Sequence, residues 1–198
     1  KKIKIITKNT EYSVSDPSIL SFVLISLGYF FFGIGYIIYG TFISALVREA
    51  EIHENFHYMA WLIVGISSFF SILVWKRFLS KLSFDLSLFI ACCTSGLGAV
   101  FTLLEGNYLF LIISCFLYGL GVPSAVALVL LEGKKRYIGE TRVALAILTT
   151  VFSIGQIIGP YCAGILIDMQ NNYFYSILLS MFCLFISGIL MINPKRYK

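Results

Sequence analysis

An all-helical membrane protein with six transmembrane spans is the fold class this sequence predicts, and three observations predict it. Of 198 residues, 59% are hydrophobic and only 13% charged, with a mean hydropathy of +0.89; a soluble domain carries about 25% charged residues. Six apolar runs occupy roughly 18–47, 58–75, 86–104, 107–131, 143–167 and 173–192. Each is long enough to cross a hydrocarbon core of about 30 Å at about 1.5 Å rise per residue. The third observation is charge placement: all but one of the 15 Lys and Arg residues fall on one side of the membrane if these six runs all span it. Backbone amides in lipid must bond internally, so such runs are helices, and the alternating pattern of an outer-membrane barrel is missing.

Residues 1–17 precede the first span as a basic, polar arm with no short apolar core and no small-residue cleavage site, so a cleavable signal peptide is not expected. The chain begins without Met, which suggests that something has been removed or precedes it. The first span contains GIGYIIYG, residues 33–40. No Lys-Ser/Thr pair follows it, which excludes a phosphate-cradling loop. On a helix, Gly28 and Gly35 share one stripe, Gly33 and Gly40 a second, and Tyr29 and Tyr36 a third between them. Small residues let neighbouring helices approach closely. The tyrosine face either lines an aqueous cavity or hydrogen-bonds across helices, because a hydroxyl in lipid needs a partner or water.

The second span is bounded by Trp61 and Trp75, which fit interfacial belts. The third contains the adjacent Cys92 and Cys93. These two, with Cys115, Cys162 and Cys183, lie within apolar runs, so they read as packing residues rather than a disulfide or zinc framework. In the fourth span, YGLGVPS places Pro123 so that the carbonyl of Gly119 loses its helical donor, with Gly119 and Gly121 softening the helix. The fifth, LTTVFSIGQIIGPYCAGILID, carries a small-residue stripe of Gly155, Gly159 and Ala163. Beside it runs a polar stripe of Thr149, Ser153, Gln156, Pro160 and Gly164. Pro160 frees the carbonyl of Gln156, offering an amide and an unpaired carbonyl at one depth. Interrupted helices with loose carbonyls mark transporter substrate sites; a kink satisfied by a neighbouring Ser or Thr is the alternative.

The charges set the orientation. Lys1, Lys2, Lys4 and Lys8 in the arm share a side with Lys76, Arg77 and Lys81. On the same side lie Lys134, Lys135, Arg136 and Arg142, and the tail residues Lys195, Arg196 and Lys198; Arg48 alone falls opposite. The cytoplasmic side carries the Lys/Arg excess, which places both termini in the cytoplasm of a multi-pass cell-membrane protein, an inner membrane in a two-membrane cell. The net charge of +5 is thereby accounted for without a nucleic-acid partner.

The segments GYIIYGTFISALVRE and SIGQIIGPYCAGILID resemble the C-terminal half of major facilitator superfamily transporters, of the YbfB/YjiJ-type branch. The likeness covers nearly the whole chain from Ser18. It implies helices seven to twelve of a twelve-helix carrier, the arm linking this half to an N-terminal six-helix half. It also implies a central pathway lined by the first and fourth spans, placing Tyr36, Thr41 and Tyr118 near it. The superfamily's cytoplasmic loop of the form G-x-L-x-D-R-x-G is only partly kept: Arg77 and Lys81 remain basic, whereas Lys76, Ser80 and Ser83 replace Gly, Asp and Gly.

The function expected is secondary active transport of a small organic solute by alternating access, with the lipid bilayer and the other half as partners and no cofactor. No ATP-binding motif is present, and no ionisable residue lies deep in a span, so a proton-coupling carboxylate is expected in the other half. Two rivals stand beside this. His53, Glu54 and His57 form an HExxH match, the two-His, one-Glu pattern of zinc metalloproteases, though it sits in a polar loop with no third-ligand motif after it. A non-transporting assembly subunit is the other. A serine intramembrane protease lacks a helix-borne His to act as base.

Overall fold

The computed structural model describes residues 18–49, 56–79, 82–104 and 108–192. Six helices account for nearly all of them: α1 (Ile19–Glu49), α2 (Phe56–Leu79), α3 (Phe84–Thr102), α4 (Tyr108–Arg136), α5 (Thr141–Gln170) and α6 (Phe174–Met191). Each has the length and apolarity to cross a membrane. Among the described residues there is no strand. The arm, 1–17, lies outside the described residues.

Helix ends follow local chemistry. Ser83 caps α3 by accepting the Leu86 N–H (3.3 Å). The α4–α5 turn passes through Gly139 at φ +146°, a conformation open mainly to glycine. Asn171 closes α5 in the left-handed region, its N–H bonding the Ile167 carbonyl at 2.7 Å. The Asn172 side chain then accepts the Phe174 N–H (2.6 Å) and starts α6, so the α5–α6 reversal needs only three residues.

The packing has an internal symmetry. α1 packs chiefly on α5 and α6, and α4 packs chiefly on α2 and α3, while α3 and α6 meet each other. Exchanging α1–α3 with α4–α6 leaves this pattern unchanged. Successive spans alternate in direction, so the two three-helix units are inverted relative to each other, a 3+3 inverted repeat. The four helices α1, α4, α3 and α6 form the centre; α2 and α5 flank it and are the least covered. The starts of α1, α3 and α5 share the basic end with the ends of α2, α4 and α6. Contacts there confirm the register, including Phe22 on Tyr137 (ring centroids 4.7 Å).

Glycine decides how closely these helices approach. A Cβ at Gly28 would lie 2.6 Å from Met191, and one at Gly35 2.7 Å from both Leu184 and the Ser180 carbonyl; this stripe faces α6. A Cβ at Gly33 would lie 2.5 Å from the Phe152 carbonyl of α5, but one at Gly40, on the same stripe, would lie 3.3 Å from the Tyr118 hydroxyl and 3.7 Å from Trp61. Helices that cross hand one stripe to different neighbours. On α5, Gly155 lies against the Phe30 carbonyl and Gly159 against the Ile34 carbonyl, while nothing lies within 4 Å of a Cβ placed at Gly164. Gly119 abuts Ser67 and Val64 of α2, and Gly121 meets Ser95 and the Ala91 carbonyl of α3. Gly155→Val is therefore expected to force α5 off α1 and to cost about 1–3 kcal/mol by overpacking. Gly164→Ala, with open space before it, should be close to neutral. Thermal unfolding of the two purified variants checks the contrast.

The symmetric seams differ in chemistry. Where α5 lies on α1, small residues meet backbone and no hydrogen bond joins the two helices among the described residues. Where α2 lies on α4, Ser68 donates to the Gly119 carbonyl (3.1 Å), and Ser71 donates to the Leu120 carbonyl (2.7 Å) while bonding Ser124. Trp75 also donates to the Leu120 carbonyl (3.0 Å). Trp75 is buried, which corrects its expected place in an interfacial belt: its N–H is spent on α4 rather than on the headgroup region. Trp61 stays partly exposed and donates to Ser44 at 2.8 Å. The five cysteines are all free.

Candidate functional site

The tyrosine face of α1 enters a column of rings. Tyr29 stacks on Phe152 of α5 (4.5 Å, 14°), Phe152 meets Tyr36 (5.8 Å, 32°), and Tyr36 lies parallel to Tyr118 of α4 (6.1 Å, 4°). Tyr118 in turn stacks on Tyr39 (4.1 Å). Glycines at 33 and 40 make this possible by drawing α5 and α4 against α1. The hydroxyls divide into two kinds. Tyr118 donates to the Tyr36 carbonyl (2.8 Å), and Tyr39 shares a 2.6 Å hydrogen bond with Ser114. Tyr29 and Tyr36, the two that share a stripe, make no hydrogen bond among the described residues.

Gln156 lies one turn after Phe152 on the same side of α5, half-buried like Ser153 before it. Neither side chain has a hydrogen-bond partner among the described residues, whereas Thr149 returns its hydroxyl to the Leu145 carbonyl (2.8 Å). The two proline sites also part company. The carbonyl that Pro123 frees, on Gly119, is capped by Ser68; the carbonyl that Pro160 frees, on Gln156, receives no side-chain donor among the described residues. The structure thus brings Tyr36, Tyr118 and the Phe152–Gln156 turn to one region where α1, α4 and α5 meet. Tyr118 itself is buried behind Tyr36, and Thr41 is exposed one turn past Ile37.

A second polar feature was not foreseen. At the basic end, Arg136 is fully buried. It donates to Asp85 of α3 at 2.7 Å, to Glu132 one turn back at 3.4 Å and to the Met191 carbonyl of α6 at 2.9 Å. Both side chains of the Arg136–Asp85 pair are 0% exposed. Lys135 adds a contact to Glu132 (3.7 Å) and sits 4.4 Å above the Phe84 ring. These ions let α4 continue to Arg136, beyond the apolar run that ends at 131. The available signals were the Glu132/Arg136 spacing of four and an acid two residues after the Ser83 cap. Arg77, expected in the α2–α3 loop, lies in the last turn of α2 (Phe56–Leu79) and is exposed; Lys81 lies outside the described residues.

Of the HExxH match, His53 and Glu54 lie outside the described residues, and His57 falls at the start of α2. Among the described residues no group of three His, Cys, Asp or Glu is placed to hold a metal.

Two inverted three-helix units, with interrupted helices meeting at a partly polar face, are an architecture found in membrane transporters. No curated protein and no solved structure matches the chain. A family model described as "Uncharacterised MFS-type transporter YbfB" matches residues 6–192, and the chain belongs to this family of membrane transporters of the major facilitator superfamily.

Proposed function

We propose that this chain is a six-helix half of a secondary carrier, moving a small organic solute by alternating access as it rocks against an N-terminal six-helix half. The observation that carries the reading is the side of α5 that its neighbours leave uncovered. Along it Thr149 and Thr150 are exposed and Ser153 and Gln156 half-buried, beside the exposed Ile154, Ile157 and Tyr161; with the carbonyl freed by Pro160 this polar strip is costly against lipid tails and useful against solute, water or protein. The pathway runs past Tyr36, Thr41 and Gln156, with Tyr118 supporting Tyr36. The two least covered helices, α2 and α5, do not pack on each other, and the second half docks across them. On α2 the uncovered side is apolar, with Phe69, Ile72 and Leu62 outward. Both termini face the cytoplasm, by the Lys/Arg distribution.

Gln156→Leu tests this reading. Replacement removes one polar contact, about 1 kcal/mol between membrane helices, and adds no charge, so insertion and folding should survive. Uptake or counterflow by the reconstituted carrier, normalised to folded protein, should fall. If Gln156 is interhelical glue instead, assembly falls and normalised turnover stays at the wild-type level.

A further inference from the structure

Resting on the carrier reading, we infer that this half recognises a planar aromatic solute bearing a neutral hydrogen-bonding group. Three observations converge. The first is the ring column, in which Tyr29, Phe32, Tyr39 and Tyr118 are buried while Tyr36 and Phe152 keep part of their surface open. Those two rings are tiles set against buried aromatic neighbours. Stacking on them orders little that is not already ordered, which is what makes an aromatic contact favourable.

The second observation is the set of unpaired polar groups around the tiles. The Tyr36 hydroxyl, the Tyr29 hydroxyl and the Gln156 amide have no partner among the described residues, and Tyr29 is only 2% exposed overall. A hydroxyl in so apolar a setting calls for water or a ligand group. Between them they offer donors and acceptors, which suits an amide or hydroxyl on the solute and gives no preference for either sign of charge.

The third is the lack of charge. Residues 19–47 of α1, 58–75 of α2, 108–131 of α4 and 143–167 of α5 contain no Asp, Glu, Lys, Arg or His. Arg136, Asp85 and Glu132 are spent on one another at the basic end. A formal charge on the solute would find no counter-ion on these four spans, and burying a charge unpaired is costly. An aliphatic solute would leave the tiles without their stacking partner.

Equilibrium binding to the intact transporter in lipid nanodiscs separates these terms, using benzamide, cyclohexanecarboxamide, benzoate and benzylammonium as probes. Benzamide should bind about tenfold more tightly than its saturated analogue, the size of a good aromatic contact, and at least as tightly as either ion. Tyr36→Leu should erase the aromatic preference and Tyr36→Phe should keep it, both read on protein shown to be folded. Equal binding of the two amides, a preference for either ion, or no binding of benzamide overturns the inference. Exchange of solutes across reconstituted liposomes without aromatic preference overturns it too, but leaves the carrier reading standing. Selective binding of benzamide with no exchange of any solute supports the site and sinks the carrier reading.

Discussion

Arg136→Leu should yield little folded protein. Removing one partner of a buried ion pair costs about 3–5 kcal/mol, because the remaining charges stay in a low-dielectric setting without compensation. Here Asp85 would lose its 2.7 Å donor, and the Met191 carbonyl its 2.9 Å donor. Glu132 would keep Lys135 at 3.7 Å. Three helices are released together, since this one guanidinium holds α3, α4 and α6. Arg136→Lys should recover part of the loss and not all of it: an ammonium supplies charge but not a planar fork reaching three acceptors. The triple change of Arg136, Asp85 and Glu132 to Leu should be far milder than the single one, as buried ion clusters exchange for apolar side chains at little net cost. Thermal unfolding in detergent, with the yield of monodisperse protein, reads all three. A single mutant as stable as wild type would show that the cluster is held elsewhere.

Pro160→Ala should cut transport without harming the fold. Alanine is better than proline in a helix by about 3 kcal/mol, and its N–H restores the donor that the Gln156 carbonyl lacks. α5 then stiffens at the level of the ring column. Normalised uptake should fall by about tenfold, equivalent to about 1.4 kcal/mol on the rate-limiting step, while expression stays the same or improves. Pro123→Ala is the internal control. Its freed carbonyl is already taken by Ser68, and Ser71 and Trp75 hold the next one, so α2 fixes the shape of α4 whether or not proline is there. Equal losses from both substitutions would remove the distinction between a free and a stapled interruption. Unchanged uptake with Pro160→Ala would remove the hinge.

Lipid made much of the fold legible. A backbone that must satisfy itself leaves few choices for an apolar run, so six helices and their order follow from the runs at 18–47 through 173–192. The glycine stripes were legible too, because i, i+7 repeats fall on one face whatever lies opposite. What lies opposite was not: Gly33 and Gly40 share a stripe, yet one meets α5 and the other Tyr118 and Trp61, since crossing angles are properties of pairs. Ser67, Ser71 and Trp75 form an i, i+4, i+8 row that in hindsight marks a polar seam on α2. A tryptophan near a span end reads first as a headgroup residue, and Trp75 departs from that pattern by turning to α4. Asp85, Glu132 and Arg136 were hidden because end-of-span charges usually mark orientation. Only the meeting of three helix ends shows these to be buried. Within the candidate site, the helix faces on which Tyr36 and Gln156 lie were readable. That Tyr118 spends its hydroxyl on the Tyr36 carbonyl depends on how closely α4 approaches Gly40.

The buried cluster also carries a timetable. Asp85 and Arg136 are 51 residues apart, and Met191 lies 55 beyond Arg136. At about 5–20 residues per second, the third span waits roughly 3–10 s for its cation to be synthesised, and the arginine waits about as long again for its last acceptor. During the first interval Asp85 sits without Arg136 in the opening turn of α3, where the helix N-terminus favours a carboxylate. In the second, α3 and α4 are already clasped while α6 is still being made. Biogenesis is thereby ordered: the nascent chain closes its ion cluster in two steps.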